Sequence, residues 1–161
     1  MRHGEEQIRN ARLESFENRT RTRDYEIAFT CPEFTCLCPL SGFPDFATIY
    51  FRYVPDERCV ELKSLKLYIN RYRTEYVFHE DVVNRMMDDF IAEVDPKWLE
   101  VVGDFSVRGN IKTVITVRHQ KDTNVPRDSA TANTAQIPNT FVSETAGTVN
   151  ARPEPHPTHP K

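Results

Sequence analysis

Phe46-Ala47-Thr48-Ile49-Tyr50-Phe51-Arg52-Tyr53 is the stretch on which the fold turns. Its aromatic and β-branched residues suit a pleated surface, and its alternation is strand-like. Before it, Tyr25, Ile27, Phe29 and Cys31 alternate with Glu26, Ala28 and Thr30, which predicts a partner strand. Pro32 and Pro39 punctuate an expected loop that carries Cys36 and Cys38, and Pro55-Asp56 makes the turn that follows. From Glu61 the period lengthens: Leu62, Leu65, Ile69 and Tyr72 recur at helical spacing. A second helix carries Val82, Val83, Met86, Met87, Phe90, Ile91 and Val94, with Glu80 and Asp81 in its first turn and Asp95-Pro96 as its stop. Two more strands follow. Leu99, Val101, Phe105 and Val107 point one way, Arg108-Gly109-Asn110 turns, and Ile111, Thr113, Ile115 and Val117 alternate with Lys112, Val114, Thr116 and Arg118. The expected order is β-β-α-α-β-β, an α+β antiparallel sheet with two helices on one face. So small a sheet has edges to manage, and pairing between subunits is one way to do so.

The flanks read differently. Residues 1–20 are charged and weakly patterned, an arm or a frayed helix, so the expected domain spans 21–120. Residues 121–161 hold six of the eleven prolines and few large apolar groups, the composition of a disordered tail.

Charge and motifs narrow the function. Net charge is −3 and the pI is near 6.0, which argues against a protein that grips nucleic acid by its phosphates. No apolar run is long enough to span a bilayer and the N-terminus lacks a secretory signal, so the cytoplasm is expected. The cysteines Cys31, Cys36, Cys38 and Cys59 match none of the common zinc spacings, and no metal is expected. No G-x-G-x-x-G or P-loop occurs, so a nucleotide cofactor would be held by other means.

Three segments could carry chemistry. Cys38 and Asp45 bracket a Pro- and Gly-containing loop. Taken alone, Cys38 fits a buried small hydrophobe and Asp45 a turn residue. Taken together, a thiol and a carboxylic acid suit addition to a carbon–nitrogen multiple bond, sulfur attacking carbon while the acid protonates nitrogen. His79-Glu80 is either a helix-start feature or a polar grip on a guanine-like ring. Lys63 and Lys66, one helical turn apart, are either a solvated face or a pair of cations for one phosphate.

At these residues the chain resembles the NADPH-dependent 7-cyano-7-deazaguanine (preQ0) reductases, the nitrile reductases of queuosine biosynthesis, in their short single-module type. The family signature E-[SL]-K-[SA]-[LF]-K-x-[YFW] stands unbroken as Glu61 to Tyr68, and the resemblance runs from about Tyr25 to Gln120. It implies a tunnelling fold in ring-shaped homo-oligomers, two stacked pentamers forming a decamer, with sites between subunits. It implies that Cys38 forms a covalent thioimide with the nitrile and that Asp45 donates the proton. His79 and Glu80 would hold the deazaguanine ring, Val60, Glu61 and Leu62 would add substrate contacts, and Lys63, Ser64, Lys66 and Tyr68 would bind NADPH. Direct nucleic-acid binding is not implied. Many relatives carry Thr-Gly-Gln-Pro-Asp where this chain has Ser41-Gly42-Phe43-Pro44-Asp45, a change expected to alter loop packing but not the chemistry. The alternatives are an amidinotransferase of the same fold acting on preQ0 in tRNA, which lacks the lysine motif, and a non-catalytic purine-binding scaffold.

Overall fold

The computed structural model describes residues 3–122. Four antiparallel strands form the main sheet: β2 (Ile27–Leu37), β3 (Pro44–Val54), β5 (Trp98–Arg108) and β6 (Ile111–Gln120), side by side in that order. The link from β3 to β5 carries a short strand β4 (Arg58–Val60), helix α2 (Leu62–Arg71), a 3₁₀ turn (Tyr72–Thr74) and helix α3 (His79–Val94). The expected β-β-α-α-β-β plan is the observed one.

Alternation decides the faces. Ala47, Ile49, Phe51 and Tyr53 of β3, with Leu99, Val101 and Phe105 of β5, are buried against Val82, Val83, Met86, Met87 and Phe90 of α3. Phe90 is gripped between Phe51, stacked at 5.5 Å, and Tyr53, edge-on at 4.9 Å. The helix sits so close that a Cβ on Gly103 would lie 2.6 Å from Val83 Cγ2 and 2.9 Å from Phe105 Cε2. The opposite face is polar, with Arg52 bridging Glu26 and Glu100, Arg118 also on Glu100, and Lys112 on Asp104. Asp95 ends α3 in the left-handed region at φ 44, ahead of Pro96.

Four expectations need correction. Pro32 does not end the first strand; β2 runs on to Leu37, and a register shift between Cys31 and Phe34 absorbs the proline. This is tolerable because β2 is an edge strand, where a missing N–H leaves no neighbour unpaired. Cys36 is therefore a fully buried strand residue. Leu62 is 64 % exposed, and the inward stripe of α2 is Leu65, Tyr68, Ile69 and Tyr72. Residues 3–20 are more than an arm: α1 (His3–Arg9) leads to buried Ala11 and Leu13, and β1 (Ser15–Glu17) pairs antiparallel with β4. Few apolar side chains suffice there because the segment also ties in by backbone, Glu61 N–H donating to Glu14 O at 2.8 Å and Arg71 Nη1 to Ala11 O at 3.2 Å. Lys121, expected in the tail, bridges Asp56 and Asp95. The rest of that tail, from residue 123, lies outside the described residues.

Candidate active site

The loop from β2 to β3 closes on itself at Cys38. Gly42 N–H donates to Cys38 O and Cys38 N–H to Phe43 O, each at 2.9 Å, and Gly42 takes φ 72, a value that costs glycine little. Leu37 holds the segment before α3 in a parallel bridge with Tyr76, through Leu37 N–H to Glu75 O and Val77 N–H to Leu37 O. Residues far apart in sequence are thereby set at one end of the sheet.

Asp45 begins the buried face of β3, opposite Cys36, and is only 8 % exposed. A buried carboxylate must be paired to be tolerated. His79 Nε2 lies 3.2 Å from Oδ2 and Arg108 Nε 3.2 Å from Oδ1. The His79 ring stacks on Phe105 at 3.8 Å and 12°. Glu80, the next residue of α3, is exposed, and its carboxylate has no partner among the described residues.

The two thiols behind this loop differ sharply. The Ser41 hydroxyl, with backbone groups of Ser41 and Leu40, hydrogen-bonds Cys38 and holds its pKa below the ordinary thiol value, against the opposing pull of partial burial and the Asp45 charge. Burial, then the charges of Asp45 and Cys38, push Cys36 up to about 12. Cys38 is thus the more readily ionised thiol of the pair.

The remaining expected residues sit elsewhere. Val60 is buried in β4, and its N–H donates to Tyr53 Oη at 3.0 Å. Tyr53 is eight residues along β3 from Asp45, about 27 Å at ~3.4 Å per residue. Within one chain, then, Val60 and Glu61 lie at the far end of the sheet from Cys38. Glu61 caps α2, accepting from Lys63 N–H at 2.8 Å and Ser64 N–H at 2.7 Å, and both bonds hold its pKa down. Ser64 is buried and ties α2 to Glu14 N–H. Tyr68 is 1 % exposed; its hydroxyl donates to Asp89 Oδ2 at 2.6 Å and shares a hydrogen bond with Tyr72. Ser64 and Tyr68 therefore serve the signature by fixing the helix, whereas Lys63 and Lys66 are exposed and have no ion-pair partner among the described residues. A cavity of about 330 Å³ beside Lys63 is walled by Asn10, Arg12, Glu61 and Leu67.

Sequence reasoning did not single out Arg108, Phe105 or Arg12. For Phe105 the signal was only a core pattern, and for Arg108 only a turn. Five large apolar side chains, Leu40, Phe43, Phe46, Tyr76 and Phe78, stand exposed on the Cys38 loop, the start of β3 and the approach to α3.

Comparison with known proteins sets this geometry in context. A family model described as QueF-like protein matches residues 44–124. The NADPH-dependent 7-cyano-7-deazaguanine reductase of Anaeromyxobacter sp. (strain Fw109-5) is 62 % identical over 107 residues, covering 66 % of this chain and 88 % of that protein. The enzymes of that name from Thermosynechococcus vestitus and Nostoc sp. are 51 % identical over 123 residues and 54 % over 121. They cover 76 % and 75 % of this chain, and 93 % and 89 % of themselves. The crystal structure of the archaeosine synthase QueF-Like in the apo form superposes with a TM-score of 0.54 at 16 % identity, over 62 % of this chain and 95 % of that one. At that identity the likeness speaks for the fold alone, and it bears out the expected tunnelling fold.

Proposed function

The chain belongs to the family of NADPH-dependent 7-cyano-7-deazaguanine reductases, and from that premise we propose how its two residue clusters divide the work. The enzyme reduces the nitrile of 7-cyano-7-deazaguanine to an aminomethyl group at the expense of NADPH. The amidinotransferase alternative is not favoured, since the reductases are 51–62 % identical and the archaeosine synthase 16 %.

The Cys38 sulfur attacks the nitrile carbon, and Asp45 passes a proton to the nitrogen, giving a thioimide on Cys38. The observation that carries this is the contrast between a thiol with lowered pKa and its neighbour at about 12, both beside a buried carboxylate. Glu80, whose carboxylate has no partner among the described residues, accepts the N–H groups of the deazaguanine ring. His79, expected on that ring, is engaged with Asp45 and so steadies the proton donor. NADPH would supply a hydride at each of two reductions; between them the C–S bond breaks, returning the electron pair to Cys38 and leaving an imine for the second reduction. Lys63 and Lys66 fit its phosphates, because they are exposed cations one turn apart on a helix that Glu61, Ser64 and Tyr68 hold rigid. The exposed apolar residues around the loop exclude water, which would otherwise hydrolyse the thioimide.

The distance between the clusters supports a site assembled between subunits, Cys38, Asp45 and Glu80 from one chain and the Glu61–Lys66 segment from its neighbour. The two edge strands of the sheet, β2 and β6, offer the strands for such pairing, and we take the assembly to be a homo-oligomer, a decamer of two pentamers. No helix among the described residues is long and apolar enough to cross a membrane, and the cytoplasm, where a free thiol is kept reduced, is the proposed location.

The test is to mix the protein with 7-cyano-7-deazaguanine and follow the thioimide by ultraviolet absorbance and intact mass, then add NADPH. Two NADPH should be consumed per nitrile. An adduct that survives Cys38→Ala would move the nucleophile to another cysteine, and an adduct that never oxidises NADPH would sink the reductase reading.

A further inference from the structure

Asp45 is the one acidic or basic side chain in the buried set of the described residues, and each of its oxygens meets its own cation-forming partner. His79 comes from α3, already fixed by its stack on Phe105. Arg108 comes from the last position of β5, and strict alternation would send it the wrong way. Phe105 faces the core with Asp45, so residue 108 should face the opposite side, with Asp104. The pairing of β5 with β6 slips by one residue between Phe105↔Thr113 and Arg108↔Ile111. That bulge inverts the parity. It leaves Val107, expected inside, 59 % exposed and brings Arg108 onto Asp45. A bulge that re-aims one side chain at a reacting carboxylate is a built feature of the strand.

We propose that Arg108 is a positioning residue for the nitrile addition: re-aimed by the β5 bulge, it locks Oδ1 of Asp45 so that the carboxyl presents its proton from the Oδ2 side, between His79 and the Cys38 loop. Arginine donates and never accepts, so the oxygen it holds is excluded from proton transfer, whereas the His79 side can both give and take a proton. The proposal rests on Asp45 being the proton donor of the reaction set out above.

The test uses the full-length protein and 7-cyano-7-deazaguanine with no NADPH present, which isolates addition from hydride transfer. Arg108→Ala should slow adduct formation by about 10–100-fold, the scale of a lost hydrogen bond to a charged group. Binding of the same compound, measured in the Cys38→Ala background, should stay within about 3-fold, because the lost contact is not to the ring. In an Asp45→Asn background the Arg108 change should cost little more, since the group it positions is already disabled. Arg108→Lys, which keeps the charge but not the Nε geometry, should recover only part of the rate. An Arg108→Ala protein that forms the adduct at the wild-type rate and shows only a raised KM for NADPH would overturn the proposal and make Arg108 a cofactor contact. So would a slowing that persists undiminished with Asp45→Asn. A wild-type protein that forms no adduct would instead overturn the thioimide reading itself.

Discussion

Two crippled chains should rescue each other if the site is shared. Cys38→Ala removes the nucleophile, and Lys63→Ala with Lys66→Ala removes the proposed phosphate grip. Within one chain Asp45 and Tyr53, whose hydroxyl receives the Val60 N–H just ahead of α2, are about 27 Å apart along β3, at ~3.4 Å per residue over eight residues. If each site takes Cys38 from one subunit and the lysines from the next, co-refolding the variants in equal amounts leaves intact a site with an unmutated thiol on one side and unmutated lysines on the other. Each has a chance of one half, so about one quarter of wild-type activity should return in a ring of heterologous interfaces. The assay is 7-cyano-7-deazaguanine-dependent NADPH oxidation at a cofactor concentration far below the KM of the lysine variant, where neither parent turns over appreciably. Native mass spectrometry confirms that mixed oligomers have formed. Mixed oligomers with no activity would refute the reasoning, because they would place both clusters of a working site on one chain.

Other expectations follow from single contacts. Glu80→Gln should weaken 7-cyano-7-deazaguanine binding by about 1.5–3 kcal/mol, roughly 10–150-fold in Kd, as read by calorimetry in the Cys38→Ala background; unchanged affinity would reduce Glu80 to a helix-dipole residue. Alkylation of Cys38 by iodoacetamide should rise with pH about a midpoint below the ordinary thiol value of 9.0, since the Ser41 and Leu40 contacts favour the thiolate. Ser41→Ala removes the largest of those contacts and should move the midpoint upward; a midpoint that stays put would assign the shift to the backbone alone. Gly103→Ala should cost about 1–3 kcal/mol in urea denaturation, because a methyl group there collides with Val83 and Phe105. A variant as stable as wild type would mean that α3 stands off the sheet further than described.

Periodicity made most of the fold legible, because a sheet with one covered face writes its burial directly into alternation: Ile49, Phe51 and Tyr53 are inside and Thr48, Tyr50 and Arg52 are not. Alternation fails where the backbone breaks step. The bulges near Pro32 and before Arg108 are geometric events without a residue pattern of their own, so β2 looked shorter than it is and Arg108 looked like a turn. The N-terminal segment was underestimated because its anchoring is backbone hydrogen bonding and a short β1–β4 pairing, to which hydrophobic patterning is blind. Of the candidate site, the Cys38–Asp45 loop and His79 were brought to one site by the family resemblance and not by spacing, and the Leu37–Tyr76 bridge shows how the chain sets His79 against Asp45. That Ser64 and Tyr68 point inward was not readable from a motif, which records identity and spacing but not which face of a helix is covered.

The contrast between Cys36 and Cys38 has a practical corollary. At pH 7 a thiol with a pKa of about 12 is ionised only in about one molecule in 10⁵, and only the thiolate reacts. Cys31, pushed up to about 11 by burial, is nearly as silent, and Cys59 is enclosed at 4 % exposure. A mild electrophile given in limiting amount therefore has a single target on a chain of four cysteines. The moles of label incorporated would count functional centres directly, so a preparation can be standardised by competent sites per subunit before any rate is measured.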